Sequence, residues 1–398
     1  MAMEHSALDE VFLPRKKLKQ LIAGLPTPFF LYDEAGIRES IRDFLQAFSW
    51  CPGHRQIFPL RQLPLDGMAR ILLEEGCGVS CCTDRELRQA ADWGFFGESL
   101  VYEPMYPSVD GLALASSLGA TVSVDNNISA AVCLEQPIAT ASLVFNPGGK
   151  VTLDGTVLCR AERSKRGMGL REILEYAPYL HRTGIQRLGL EVHLTQQVLD
   201  PDYYGMVLSL LQPVIEELER LHTPIAFCNL GGGPGLSFFP STPHADAAEW
   251  GRRTERCASQ LPYQIPIWTA ADRLFTGPHC LYFSRVLCVK RAHRQFMVLD
   301  SDAAQFPRLH PKGRYHLSLL TNTERGNRQF YDVVGCHPDE TGRFAEYILL
   351  PEPSEDEICI VHEAGVAPPG PGGGYYLYRQ DGTLEPMRGL LETFVPVP

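Results

Sequence analysis

Between residues 29 and 270, short apolar runs alternate with longer stretches in which apolar residues recur at spacings of three and four. The short runs are Ile57 to Leu60, Gly78 to Cys82, Leu100 to Glu103, Thr121 to Asn126, Ser142 to Asn146, Arg187 to Leu194, Ile225 to Leu230 and Pro266 to Ala270. Most are apolar at consecutive positions, as strands covered on both faces should be. Between them lie amphipathic helical patterns such as GMARILLEEG, RELRQAADWG, GLALASSLGA, LREILEYAPYL and YYGMVLSLLQPVIEELERLH. Eight strands alternating with helices predict an α/β fold of βα units around a parallel sheet, closed as a (β/α)8 TIM barrel. An open doubly wound sheet is the alternative that the same alternation permits.

After Arg273 the texture changes to strands and turns with almost no helical periodicity: LYFSRVLCVKRAH, QFMVLDS, YHLSLLT, RQFYDVVGC, YILLPEP, EICIVHEAG and YYLYRQDG. The expected organisation is therefore a barrel over residues 26–275 and a C-terminal all-β domain, barrel or sandwich, over 276–398, to which residues 1–25 attach. The run APPGPGGG (367–374) reads as a loop.

A length of 398 residues with 44% hydrophobic content supports two such domains. A net charge of -11 argues against nucleic acid or an anionic membrane as partner, since both would repel it. No signal-like apolar segment opens the chain and no run reaches the length of a membrane span, so a cytoplasmic protein is expected. The 12 cysteines are scattered and form no CxxC pair, which favours reduced thiols and no structural zinc.

Two local patterns carry chemistry. Glu191 and His193 are two apart on a strand and so face one side, into the barrel. The turn Gly231-Gly232-Gly233 follows the seventh strand and can bring backbone N–H groups close to an anion, although such a turn also serves as a plain tight connection. His193, Glu191 and Asp272 could in principle ligate a metal, but no metal is expected from so loose a set.

Several strings resemble, in order, segments of the fold-type III pyridoxal-phosphate-dependent decarboxylases, the group of diaminopimelate and ornithine decarboxylases. They are TPFFLYDEAGIRESIRDFLQAF (27–48), ERSKRGMGLREILEYA (162–177), GLEVHLTQQ (189–197), LGGGPG (230–235) and VLDSDAAQFPRLHPKGRYH (298–316). The resemblance implies the architecture of alanine racemase, a barrel followed by a β domain. It further implies a ring-stacking His193, a phosphate cradle at Gly231, Gly232 and Gly233 with Arg273 nearby, a substrate-carboxylate contact at Arg308, and a homodimer with the Cys336 to Glu340 loop crossing the interface.

Where the family carries its cofactor lysine, in a "YAVKAN" string, this chain reads Phe58-Pro59-Leu60-Arg61. Arginine stays protonated and cannot form a Schiff base. The acid that should sit on the pyridine nitrogen and keep it protonated, from "EPGR", aligns with Ala270, with Asp272 two residues on. The serine of "HIGS" reads Gln196, the phosphate tyrosine of "DAGAY" is missing from Glu363 to Ala367, and the "CESGD" loop retains only Cys336 and Asp339. Pyridoxal phosphate is thus implied by resemblance alone, and covalent attachment is not expected. Lys150 and Lys165 are the alternatives for an aldimine lysine if the alignment is shifted.

Two functions compete. One is an enzyme of the decarboxylase family that acts on or binds an amino acid or amino-acid-derived carboxylate without a lysine-bound cofactor, with Arg61, Arg273 and Arg308 as anion binders and His193 as proton carrier, assisted by Glu191 or Asp339. The other is a catalytically silent relative that binds a protein partner. A conventional decarboxylase with a misplaced lysine is the third reading.

Overall fold

A computed structural model describes residues 12–390, apart from 134–135, 238–243, 262–263, 302–314, 322–327, 339–341, 355 and 367–372. It divides into two compact units, one formed by residues 39–236 and 244–274, the other by the described residues up to 38 and from 275 onward, with 237.

The first unit is a closed barrel of eight parallel strands, β1 (Arg55–Pro59), β2 (Gly78–Cys81), β3 (Leu100–Tyr102), β4 (Thr121–Val124), β5 (Thr140–Val144), β6 (Arg187–Glu191), β7 (Phe227–Asn229) and β8 (Ile267–Thr269), in sequence order around the wall. Each coincides with one of the apolar runs. Closure is made where β8 pairs with β1, Trp268 opposite Arg55. The strands are buried almost throughout, because helices cover the outer face and side chains fill the inside. Inside, Phe227 and Trp268 stack with ring centroids 3.9 Å apart and pack with Ile57 and Val101. A fully buried ring such as Phe227 stabilises the fold by roughly 1.5–3 kcal/mol. This apolar plug floors the mouth of the barrel.

Helices at Asp66–Glu74, Asp84–Asp92, Val109–Ser117, Asn127–Cys133, Leu170–Arg182, Tyr203–Arg220 and Ala247–Ala258 return the chain between successive strands. One of them shows how sharply local chemistry sets a start: Thr83 caps Asp84–Asp92 by accepting from the Glu86 N–H, while Glu86 reaches back to the Thr83 N–H. A hairpin, Lys150–Leu153 with Thr156–Arg160, is inserted between β5 and the helix Leu170–Arg182. The alternation had not marked it.

The second unit is a nine-stranded sheet in the order 343–351, 328–334, 295–299, 280–291, 29–33, 374–378, 384–386, with 317–319 and 358–361 joined to it through 280–291. Here the expected boundary at residue 26 is displaced. Phe29–Asp33 is a β-sheet strand of this unit, antiparallel to 280–291 (Phe29 opposite Phe283) and parallel to 374–378 (Phe29 opposite Gly374), so the barrel begins further along the chain. The cause is composition: FFLYD is buried on both faces and finds two partner strands only in the middle of this sheet. Leu13, Leu18 and Ile22 pack with Phe29, Leu31 and Phe283 in one apolar cluster, which ties the helix Arg15–Leu21 to the same unit.

Candidate active site

Residues at the carboxyl ends of barrel strands face the mouth. Glu103 follows β3, Asp125 follows β4, Glu191 ends β6 and His193 stands two residues on. Arg61 lies in the short turn Leu60–Gln62 directly after β1. Arg166 comes from the segment between the hairpin and the helix Leu170–Arg182.

These side chains form one ion network. Glu191, 1% exposed, accepts from Ser142 Oγ at 2.7 Å and Ser123 Oγ at 3.1 Å on one oxygen and contacts His193 Nε2 with the other. Glu103, 4% exposed, accepts from Ser80 Oγ at 2.7 Å and from Arg166 Nη2 at 3.0 Å, with Arg61 Nη1 at 3.6 Å and His193 Nε2 at 3.9 Å. Arg166 Nη2 is also 3.8 Å from Glu191, and its Nε is 3.7 Å from Asp125. Arg61 donates to Cys82 Sγ at 2.7 Å.

Burial alone would push the Glu191 carboxyl up; His193 and Arg166, helped by the Ser142 hydroxyl, hold it down at about 2. Burial likewise opposes ionisation of Glu103, yet Arg166 and His193 draw it below its ordinary range. At Asp125 burial prevails over Arg166 and the carboxyl is raised. Burial, reinforced by Glu103, pushes the Cys82 thiol up to about 12, so Arg61 meets a neutral sulfur.

Between Arg61, Glu103, Glu191, His193, Gln196 and Gly232 lies a cavity of about 20 Å³, floored by Ile57 and Val101 and bounded by Ala270. That is space for about one water molecule. The glycine turn closes one side. Gly231 has φ +71°, and a Cβ there would lie 2.5 Å from the Val192 carbonyl oxygen; at Gly233 it would lie 2.7 Å from the Tyr203 ring. The Gly231 N–H is taken by Asn229 Oδ1 at 3.0 Å. Among the described residues, the N–H groups of Gly232 and Gly233 have no partner, which is the feature an anion would use.

The fold thus brings Arg61, Glu191, His193 and Gly231 to Gly233 together. It does not add Arg273 to the cavity wall: Arg273 begins the short helix Arg273–Thr276, its N–H bonded to Asp272 Oδ1 at 2.7 Å. Cys336 lies exposed in the β unit, its N–H donating to the Ser301 carbonyl at 3.0 Å. Asp339 and Arg308 fall outside the described residues. Instead of His193, Glu191 and Asp272, the ligand atoms that converge within 4.8 Å are those of Glu103, Glu191 and His193. Asp272 is buried beside Arg273, and desolvation raises its carboxyl.

Glu103, Asp125 and Arg166 were missing from the sequence reading. The two acids had a signal, since each is the first charged residue after an apolar strand, LVYE and TVSVD. Arg166 had none, sitting in a loop without periodicity.

Comparison with known proteins places this geometry in context. The family model described as "Pyridoxal-dependent decarboxylase, pyridoxal binding domain" matches residues 34–265. Protein TabA of Pseudomonas amygdali pv. tabaci is 26% identical over 87% of this chain and 83% of its own. Diaminopimelate decarboxylase of Methanothermobacter thermautotrophicus is 24% identical over 85% and 82%. Among solved structures, diaminopimelate decarboxylase from Helicobacter pylori complexed with L-lysine superimposes with a TM-score of 0.79 at 18% identity, covering 93% of this chain and 95% of that one.

Proposed function

We propose, for a chain that belongs to the pyridoxal-dependent decarboxylase family, that its barrel mouth binds or acts on an amino acid or amino-acid-derived carboxylate without a lysine-bound cofactor. The family depends on pyridoxal phosphate, so the residues here have to be tested against that group. The unpaired N–H groups of Gly232 and Gly233 suit a phosphate. The rest does not. No lysine lines the cavity among the described residues; Arg61 stands at the end of β1, and Ala270 offers no acid to a pyridine nitrogen.

The observation that carries the reading is Arg61 itself, a guanidinium paired with the buried Glu103 where an amine would be needed. In this reading Arg61 and the glycine turn receive the anionic group, while His193, oriented by Glu191, moves a proton. The H. pylori relative with bound L-lysine supports an amino acid as the ligand class. A second reading, a catalytically silent protein that binds a partner, is favoured by the same small cavity closed by ion pairs.

After gel filtration has removed free pyridoxal phosphate, the protein is expected to carry no stoichiometric aldimine, and borohydride is expected to fix no cofactor to a lysine of the barrel mouth. A yellow, reducible adduct overturns the proposal and restores conventional decarboxylase chemistry. Calorimetry against amino acids and dicarboxylates separates the two remaining readings, since only the first expects binding that Arg61→Gln weakens.

A further inference from the structure

One loop side chain reaches the centre of charge in the barrel. Arg166 Nη2 is 3.0 Å from Glu103 Oε2 and 3.8 Å from Glu191 Oε1, and its Nε is 3.7 Å from Asp125 Oδ1. Its backbone is pinned as well: Asn146 Nδ2 donates to the Arg166 carbonyl at 2.9 Å, and the next N–H, of Gly167, donates to Asp125 at 3.0 Å. Three buried carboxylates, from the ends of β3, β4 and β6, repel one another and resist joint ionisation unless a cation is placed among them. Arg61 reaches Glu103 alone and is 41% exposed. His193 touches Glu191 and stands 3.9 Å from Glu103. Among the described residues, Arg166 alone pairs with all three carboxylates.

We propose that Arg166 is a positioning residue: its guanidinium fills a three-carboxylate socket and thereby fixes the Glu191–His193 pair. The socket is a cation site that the chain occupies with its own side chain. Glu103, Glu191 and His193 converge closely enough to attract a divalent ion, but a guanidinium beside both glutamates already places a positive charge there. With Glu191 kept as an anionic acceptor, His193 holds its Nε2–H toward it and turns Nδ1 to the glycine turn, where a Cβ on Gly231 would lie 3.4 Å from that atom. Its functional meaning rests on the reading that Glu191 and His193 carry the chemistry of the site.

The test uses full-length protein labelled with ¹⁵N-histidine and ¹³C-glutamate, with His193→Gln and Glu191→Gln to assign the two signals. Arg166→Ala is expected to shift and broaden the His193 Nε2–H signal bonded to Glu191, because the pair loses its fixed geometry, and to move the Glu191 titration up by about one pH unit or more. Millimolar methylguanidinium should restore both in a saturable way, whereas urea, neutral and of similar shape, should restore neither. Arg166→Lys should keep part of the effect and Arg166→Gln none, a comparison that still decides the matter if the alanine variant fails to fold. Unchanged His193 and Glu191 signals in Arg166→Ala or Arg166→Gln, equal rescue by urea, or broadening of both signals by micromolar Mn²⁺ in the unmodified protein would overturn the proposal. A yellow pyridoxal phosphate adduct would instead overturn the cofactor reading and leave these signals to be judged by themselves.

Discussion

Glu191 is a buried carboxylate, and its ionisation sets a pH window. Its folded value of about 2 lies below the ordinary 4.5, so the unfolded chain takes up the proton first as pH falls. The stabilisation is fully present above about pH 4.5 and is lost on the way down to about 2, a contribution on the order of 3 kcal/mol. Acid titration followed by circular dichroism should show this loss, and Ser142→Ala should shift it to higher pH. The same substitution leaves a buried carboxylate oxygen with one donor fewer and should cost about 1–3 kcal/mol in urea denaturation. Arg61→Gln should cost less than about 1 kcal/mol, because that guanidinium is half in solvent. Glu191 and His193 could be read from strand alternation, and Arg61 only through the family resemblance, as the residue standing where the family carries its lysine. Arg166 could not, because the contacts that give it meaning come from three strands distant in sequence.

At the level of elements, all eight barrel strands were visible as apolar runs, yet several runs overshoot. Arg187 to Leu194 contains a strand that ends at Glu191, and Thr121 to Asn126 one that ends at Val124. The extra residues, Val192-His193-Leu194 and Asp125-Asn126, leave the ladder at the mouth, where His193 and Asp125 join the ion network. The glycine turn after β7 is the least forgiving connection. Gly231→Ala combines a left-handed backbone with a Cβ 2.5 Å from the Val192 carbonyl oxygen, and it should destabilise by about 1–3 kcal/mol; a urea midpoint equal to that of the parent would contradict this. In the β unit, Ser318 lies on the strand Leu317–Leu319 and His362 directly follows its partner strand Ile358–Val361, with Oγ and Nε2 2.7 Å apart. Burial, then His316 and Arg15, lowers His362 to about 3. The fold therefore favours the neutral ring, and the stability it lends is present above about pH 6.5 and drains as pH falls toward 3. His362→Gln should flatten the pH profile over that range.

For the whole molecule, the alternation of periods gave the barrel and seven of the eight described later strands of the β unit, missing 384–386, while the boundary between them was misread at the start of the chain. A strand next to a helix looks alike in either unit; only the register of Phe29 with Phe283 and Gly374 assigns it. All 12 cysteines are free thiols, so reductant should leave the melting temperature unchanged. No helix among the described residues is long and apolar enough to cross a membrane. The family resemblance leads us to propose a homodimer, and light scattering should then return twice the 44.4 kDa of one chain; a monomer at micromolar concentration would count against a site shared between subunits.

The pairing of Phe29–Asp33 with strands some 250 and 345 residues later also orders events on the ribosome. The barrel can close from one continuous stretch of nascent polypeptide, but the early FFLYD segment must wait until nearly all the protein has emerged before both of its edges are satisfied. During that interval it is an open, sticky edge, and chaperone capture or self-association should be concentrated there.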